Sequence, residues 1–102
     1  FNAKYKAEYG EEAGAYSASG YACAQVVLQA IKTAASKGDV TREAVRLAAT
    51  DPNTTFETVL GPIKFDAVGD TNQRIISLYK ADLTAAEGVG DWVFDSQVNY
   101  GN

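Results

Sequence analysis

The sequence predicts an α+β chain in which helices come first and strands follow. Three observations carry this expectation. Apolar residues recur at spacings of three and four as far as Thr50, the period falls to two from Phe56 onward, and Gly, Pro and Asn fall where the pattern changes. With 102 residues, 46% hydrophobic and 22% charged, the composition is that of a folded globular sequence with room for one modest core.

Phe1, Tyr5 and Tyr9 lie four apart, with Lys4, Lys6 and Glu8 between them and Gly10 after them. That is a short amphipathic helix with a glycine stop. A longer helix is predicted from about residue 16 to residue 36. Its apolar stripe is Tyr16, Gly20, Cys23, Val27, Ala30 and Ala34, flanked by Ala24, Leu28 and Ile31, while Gln25, Gln29, Lys32 and Ser36 form a narrow polar face. A helix apolar around most of its circumference packs against neighbours on several sides. Gly38 closes it. Thr41 is the N-cap of a third helix, with Val40 and Val45 placed as a hydrophobic staple and Glu43 near the positive end of the dipole. This helix should end near Thr50, and Asp51, Pro52 and Asn53 should turn the chain.

Phe56, Thr58 and Leu60 then alternate with Glu57 and Val59, and after Gly61 and Pro62 the residues Ile63 and Phe65 alternate with Lys64 and Asp66. Both runs read as short extended segments. Residues 74–81 carry Ile75, Ile76, Leu78 and Tyr79, apolar on both sides, the pattern of a strand inside a sheet. Residues 82–91 read as a polar loop. Trp92, Phe94, Ser96 and Val98 then mark one face of a last strand.

Several function classes are disfavoured. The net charge is −4, and nine basic residues are scattered among thirteen acids, so no basic patch is available to nucleic acid. The longest apolar stretch, residues 21–35, is broken by Gln25, Gln29, Lys32 and Thr33, short of the roughly 20 apolar residues of a membrane span. With no His and a lone Cys23, neither a cysteine–histidine nor a serine–histidine pair can be assembled, and Cys23 on the apolar stripe reads as core. Asp66 and Asp70 fall short of the roughly six to eight oxygens that calcium takes, and Asp66 bonding its own backbone beside Gly69 accounts for the segment. No enzyme, metal or cofactor is expected. Methionine is absent and the chain opens on Phe1, so an upstream segment, with a signal peptide, a lipid anchor or a further domain, is expected.

The run from Thr58 through Gly61, Ile63, Phe65 and Asp66 to Gly69 and Asp70 resembles the pattern Thr-x-x-Gly-x-Ile/Leu-x-Phe/Trp-Asp-x-x-Gly-Asp. That pattern lies near the end of the leucine/isoleucine/valine-binding proteins, which are type I periplasmic binding proteins. Tyr21 and Gln25 also stand at matching places in the preceding helix, although Ala22 occupies a position where many members carry Asp. The resemblance implies the carboxy-terminal part of an α/β protein of two lobes joined by crossover strands. Residues 1–74 would belong to the first lobe, residues 75–78 (Ile75, Ile76, Ser77 and Leu78) to the inter-lobe crossover and hinge, and residues 79–102 to the terminal strands of the second lobe.

The same resemblance places Tyr16 where the family has an aromatic residue facing the ligand; on periodicity alone, Tyr16 is equally the first core-facing residue of its stripe. The implied function is that of a periplasmic or extracellular binder, lipid-anchored through its upstream part. It would take up branched-chain or related amino acids by lobe closure and deliver them to the permease of an ABC transporter. A sensor of amides or amino acids on the same scaffold, and an autonomous small α+β domain, are the alternatives. If the two-lobe expectation holds, the chain by itself exposes large apolar patches.

Overall fold

The computed structural model describes residues 1–100, and in it three helices precede two pairs of strands. The chain divides into two units, Phe1–Asn72 and a second that begins at Gln73.

In the first unit, α1 (Asn2–Tyr9) stops at Gly10, whose φ of 75° is readily adopted only by glycine and lets its N–H reach the Lys6 carbonyl at 2.9 Å. The next helices are α2 (Ser17–Lys37) and α3 (Arg42–Ala49). The predicted cap of α3 is present: the Thr41 hydroxyl oxygen accepts the Ala44 N–H at 3.1 Å. Asp51 then turns the chain as expected, its carboxylate accepting the Asn53 N–H at 2.9 Å and the Thr54 hydroxyl at 3.2 Å.

The buried row of α2 is Ala22, Val26, Ala30 and Ala34, which corrects the stripe expected from the sequence. Ala30 and Ala34 were in that stripe, but Gly20, Cys23 and Val27 face outward, and Cys23 is exposed. The residues four apart form a ridge of small side chains, the kind of surface that lets a second helix approach closely. Ala30, with no exposed surface, and Ala48 of α3 lie in the core beside Val26 and Phe56; Val45, Ala49 and Phe65 pack around them. Leu28 and Ile31, together with Val27, stay exposed on the outer side of α2.

Phe56 opens the hairpin of β1 (Phe56–Thr58) and β2 (Gly61–Ile63), paired antiparallel with Phe56 opposite Ile63 and Thr58 opposite Gly61. Here too the sequence reading is corrected. Leu60 belongs to the turn, and Gly61 and Pro62 lie inside β2 instead of separating two segments. The Thr58 hydroxyl sets the turn locally, donating to the Gly61 carbonyl at 2.7 Å and accepting the Leu60 N–H at 3.1 Å.

Beyond β2 the chain doubles back through Asp66. Its carboxylate accepts the Val68 and Asp70 N–H groups, each at 2.9 Å, and Gly69 takes φ 89°. The expected Asx turn is thus present. The Asp70 N–H, followed by that of Val68, holds the Asp66 carboxyl below the usual aspartate range. The support given by this carboxylate is therefore full above the unfolded aspartate pKa of about 3.9 and is lost as pH falls through the lower folded value. Hydrogen-exchange NMR should accordingly show the Val68 and Asp70 amides losing protection on acidification, while Asp66→Asn holds its protection through the same pH range. Equal acid profiles for the two proteins would assign the turn to the backbone alone.

In the second unit, β3 (Ile75–Asp82) and β4 (Asp91–Asn99) form an antiparallel ribbon joined through the short segment α4 (Ala85–Gly88), in which Ala86 and Glu87 take left-handed backbone with φ of 49° and 59°. Among the described residues β3 pairs with β4 alone, so it is not the sheet-interior strand that its apolar sequence suggested, and Ile75, Ile76, Leu78 and Tyr79 are about half exposed.

The ladder also shifts register. Tyr79 lies opposite Phe94 and Leu78 opposite Ser96, leaving Asp95 as an extra residue on β4. Because side chains alternate faces along a strand, this bulge moves Ser96 and Val98 to the face opposite Trp92 and Phe94. The four residues expected on one face are split two and two. Tyr79 and Phe94 meet edge-to-face on the aromatic side, with ring centroids 6.0 Å apart.

Candidate functional site

Tyr16, the residue singled out as a ligand wall, is the N-cap residue of α2. Its side chain makes no capping bond and is 86% exposed. The ring therefore takes no part in the core formed among the described residues. Ser17, the first residue of α2, is half-buried beside it.

A groove of about 680 Å³ lies within the first unit, bounded by α1, the first half of α2 and the turn of the first hairpin. Phe1, Tyr5, Tyr9 and Tyr21 give it aromatic walls, and Ser17 and Gln25 contribute polar groups. The Phe1 and Tyr21 rings are 5.5 Å apart, and the Tyr5 and Tyr9 rings 4.7 Å. Tyr16 is not part of this lining. The groove is hidden in the sequence because three aromatic residues at a spacing of four look like the buried side of any amphipathic helix. In the structure α1 has no buried residue, so its aromatic side lines the groove instead of a core.

The inner side of α2 carries a second feature absent from the sequence reading. Gln25 and Gln29, assigned there to the narrow polar face, bind the hairpin backbone. Gln29 Oε1 accepts the Glu57 N–H at 3.2 Å and its Nε2 donates to the Glu57 carbonyl at 2.8 Å, as a neighbouring strand would. Gln25 Oε1 accepts the Val59 N–H at 2.8 Å. Two residues one helical turn apart thus dock β1 and its turn, which positions the groove wall at Val59.

The four residues expected at the hinge all lie in β3. Ile75, Ile76, Ser77 and Leu78 pair with Asn99, Val98, Gln97 and Ser96, and Gln97 Nε2 donates to the Ser77 hydroxyl at 3.1 Å. Among the described residues no group of three or more His, Cys, Asp or Glu side chains is arranged to hold a metal ion. No helix of the described chain is long and apolar enough to cross a membrane. Residues 1–88 match a family model described as periplasmic binding protein. No curated protein and no solved structure matches the chain.

Proposed function

Since the chain belongs to the periplasmic binding protein family, an extracytoplasmic family of small-molecule binders with the type I fold, we propose that it serves an ABC transporter. In this reading it binds branched-chain or related small amino acids and delivers them to a membrane permease, in a protein held at the membrane by an upstream lipid anchor. Residues 1–74 contribute to one lobe, residues 75–78 to the crossover and residues 79–102 to the other lobe. Ligand bridging the lobes shifts an open–closed equilibrium toward the closed form that the permease recognises. The groups that grip the ligand's ammonium and carboxylate lie elsewhere in the protein.

The observation that carries this reading at the level of residues is the exposed ring of Tyr16 at the amino end of α2. An aromatic ring presented there can cover a small apolar side chain without requiring a hydrogen bond from it. Tyr16→Ala in the full-length protein should weaken binding of leucine, isoleucine or valine by about 1–3 kcal/mol, roughly 5- to 150-fold in Kd, by calorimetry. The melting temperature should hardly change, because the ring contributes little to the core. An unchanged Kd would remove Tyr16 from the site, and no heat with any of the three amino acids in the unaltered protein would reject the ligand class.

A further inference from the structure

The ribbon of the second unit is regular on either side of one position. From Tyr79 toward Asp82 each residue of β3 pairs with its counterpart on β4, and so does each from Leu78 back toward Ile75, but the two stretches are out of step by Asp95. A bulge leaves its extra residue without a ladder partner, bends the strand and strengthens its twist. It therefore removes backbone support at one point while the ladder on both sides stays intact. Across this break Lys80 Nζ and Asp95 Oδ1 form an ion pair at 3.3 Å, with both groups exposed to solvent. Such a pair is weak and salt-sensitive.

We propose that the bulge at Asp95, opposite the Leu78–Tyr79 junction, is the flexing point of this ribbon, and that the Lys80–Asp95 pair is a light latch upon it. The flexing stands on the register alone. Its use in lobe closure rests on the binding reading above, in which Ile75, Ile76, Ser77 and Leu78 form the crossover and the bulge marks its far end. In that setting the ribbon bends between two rigid ladders, and the aromatic face of Trp92, Phe94 and Tyr79 keeps its own pairing while residues 75–78 change direction.

The register supplies an unusually clean variant. Deleting Asp95 brings Phe94 and Ser96 next to each other opposite Tyr79 and Leu78, so every cross-strand pair and every side chain's face is retained and only the bulge disappears. In the full-length protein, relaxation-dispersion NMR should show microsecond-to-millisecond exchange concentrated at Leu78, Tyr79 and residues 94–96. The exchange should vanish in the deletion variant and persist in Asp95→Ala, which keeps the bulge and loses only the ion pair. Where a branched-chain amino acid binds, the deletion should slow closing or weaken binding at least about fivefold, and Asp95→Ala should do so by less than about twofold. Flat dispersion at these residues in the unaltered protein, or exchange that survives the deletion, would overturn the proposal. Localised exchange without any effect of the deletion on binding would keep the flexing point and reject its part in closure. Should the deletion variant fail to fold, the dispersion profile of the unaltered protein and of Asp95→Ala still decides the first half.

Discussion

Phe56→Ala should largely unfold the first unit, with a loss of about 3–5 kcal/mol of stability in urea titrations followed by circular dichroism. Phe56 is the largest fully buried side chain among the described residues, 1% exposed. Its ring fills the space between Val26 and Ala30 on α2, Ala48 on α3 and Phe65 beyond the hairpin, where the two phenyl rings sit 6.0 Å apart and tilted edge-to-face. The neighbours on the helices are mostly alanines, which have no long side chains to swing into a void. The cavity would remain open, and the cost should lie toward the upper end of the range. Phe56→Leu, which leaves most of the volume filled, should cost clearly less. Similar losses for the two variants would mean that the ring's shape and edge-to-face contact, and not its bulk, hold the unit together.

Replacing both Gln25 and Gln29 by alanine should cost about 2–4 kcal/mol, since three hydrogen bonds from α2 to the hairpin backbone disappear together and each is worth about 0.5–1.5 kcal/mol. A sharper test is Gln29→Glu. At neutral pH the carboxylate can still accept the Glu57 N–H but has no proton to give the Glu57 carbonyl, so two acceptors face each other. The variant should therefore be less stable than Gln29→Ala at pH 7 and should recover in acid. The introduced carboxyl is better accommodated when protonated, so its folded pKa lies above the ordinary glutamate value of about 4.3. The folded form then holds more protons than the unfolded form between the two pKa values. Stability is greatest below about pH 4 and falls as pH rises through that window. If Gln29→Glu follows the same pH curve as Gln29→Ala, the paired contact with Glu57 contributes nothing and water serves the hairpin edge equally well.

What could be read in the sequence was mainly what is settled within a few residues. The stop at Gly10, the Thr41 cap, the Asp51 and Asp66 turns and the order of helices before strands all depend on local backbone chemistry. The misreadings have a common cause in partners remote along the chain. Which side of α2 faces inward could not be chosen from its periodicity, because Ala24, Val27, Leu28 and Ile31 form as good an apolar row as Ala22, Val26, Ala30 and Ala34. The choice is made by the small ridge that α3 can approach and by two glutamines whose partners are backbone groups 28 and 34 residues away. The split of Trp92 and Phe94 from Ser96 and Val98 was hidden for a related reason, since alternation assumes a regular ladder and one extra residue inverts everything beyond it. For Tyr16 the periodicity left two roles open, and the ring stands outside the core of the described residues.

The glutamine docking of the first hairpin also bears on the order of folding. Gln25 and Gln29 present their amides side by side only when the intervening turn of α2 has already formed, because a spacing of four brings side chains together in a helix and carries them apart in an extended chain. The β1–β2 turn can close early through Thr58, but its outer backbone edge finds these partners only on a preformed helical segment. The template is thus the helix, and the strand is the part that is templated. Docking of the hairpin edge therefore needs this helical segment, and it closes the loop through α3 at an entropic cost.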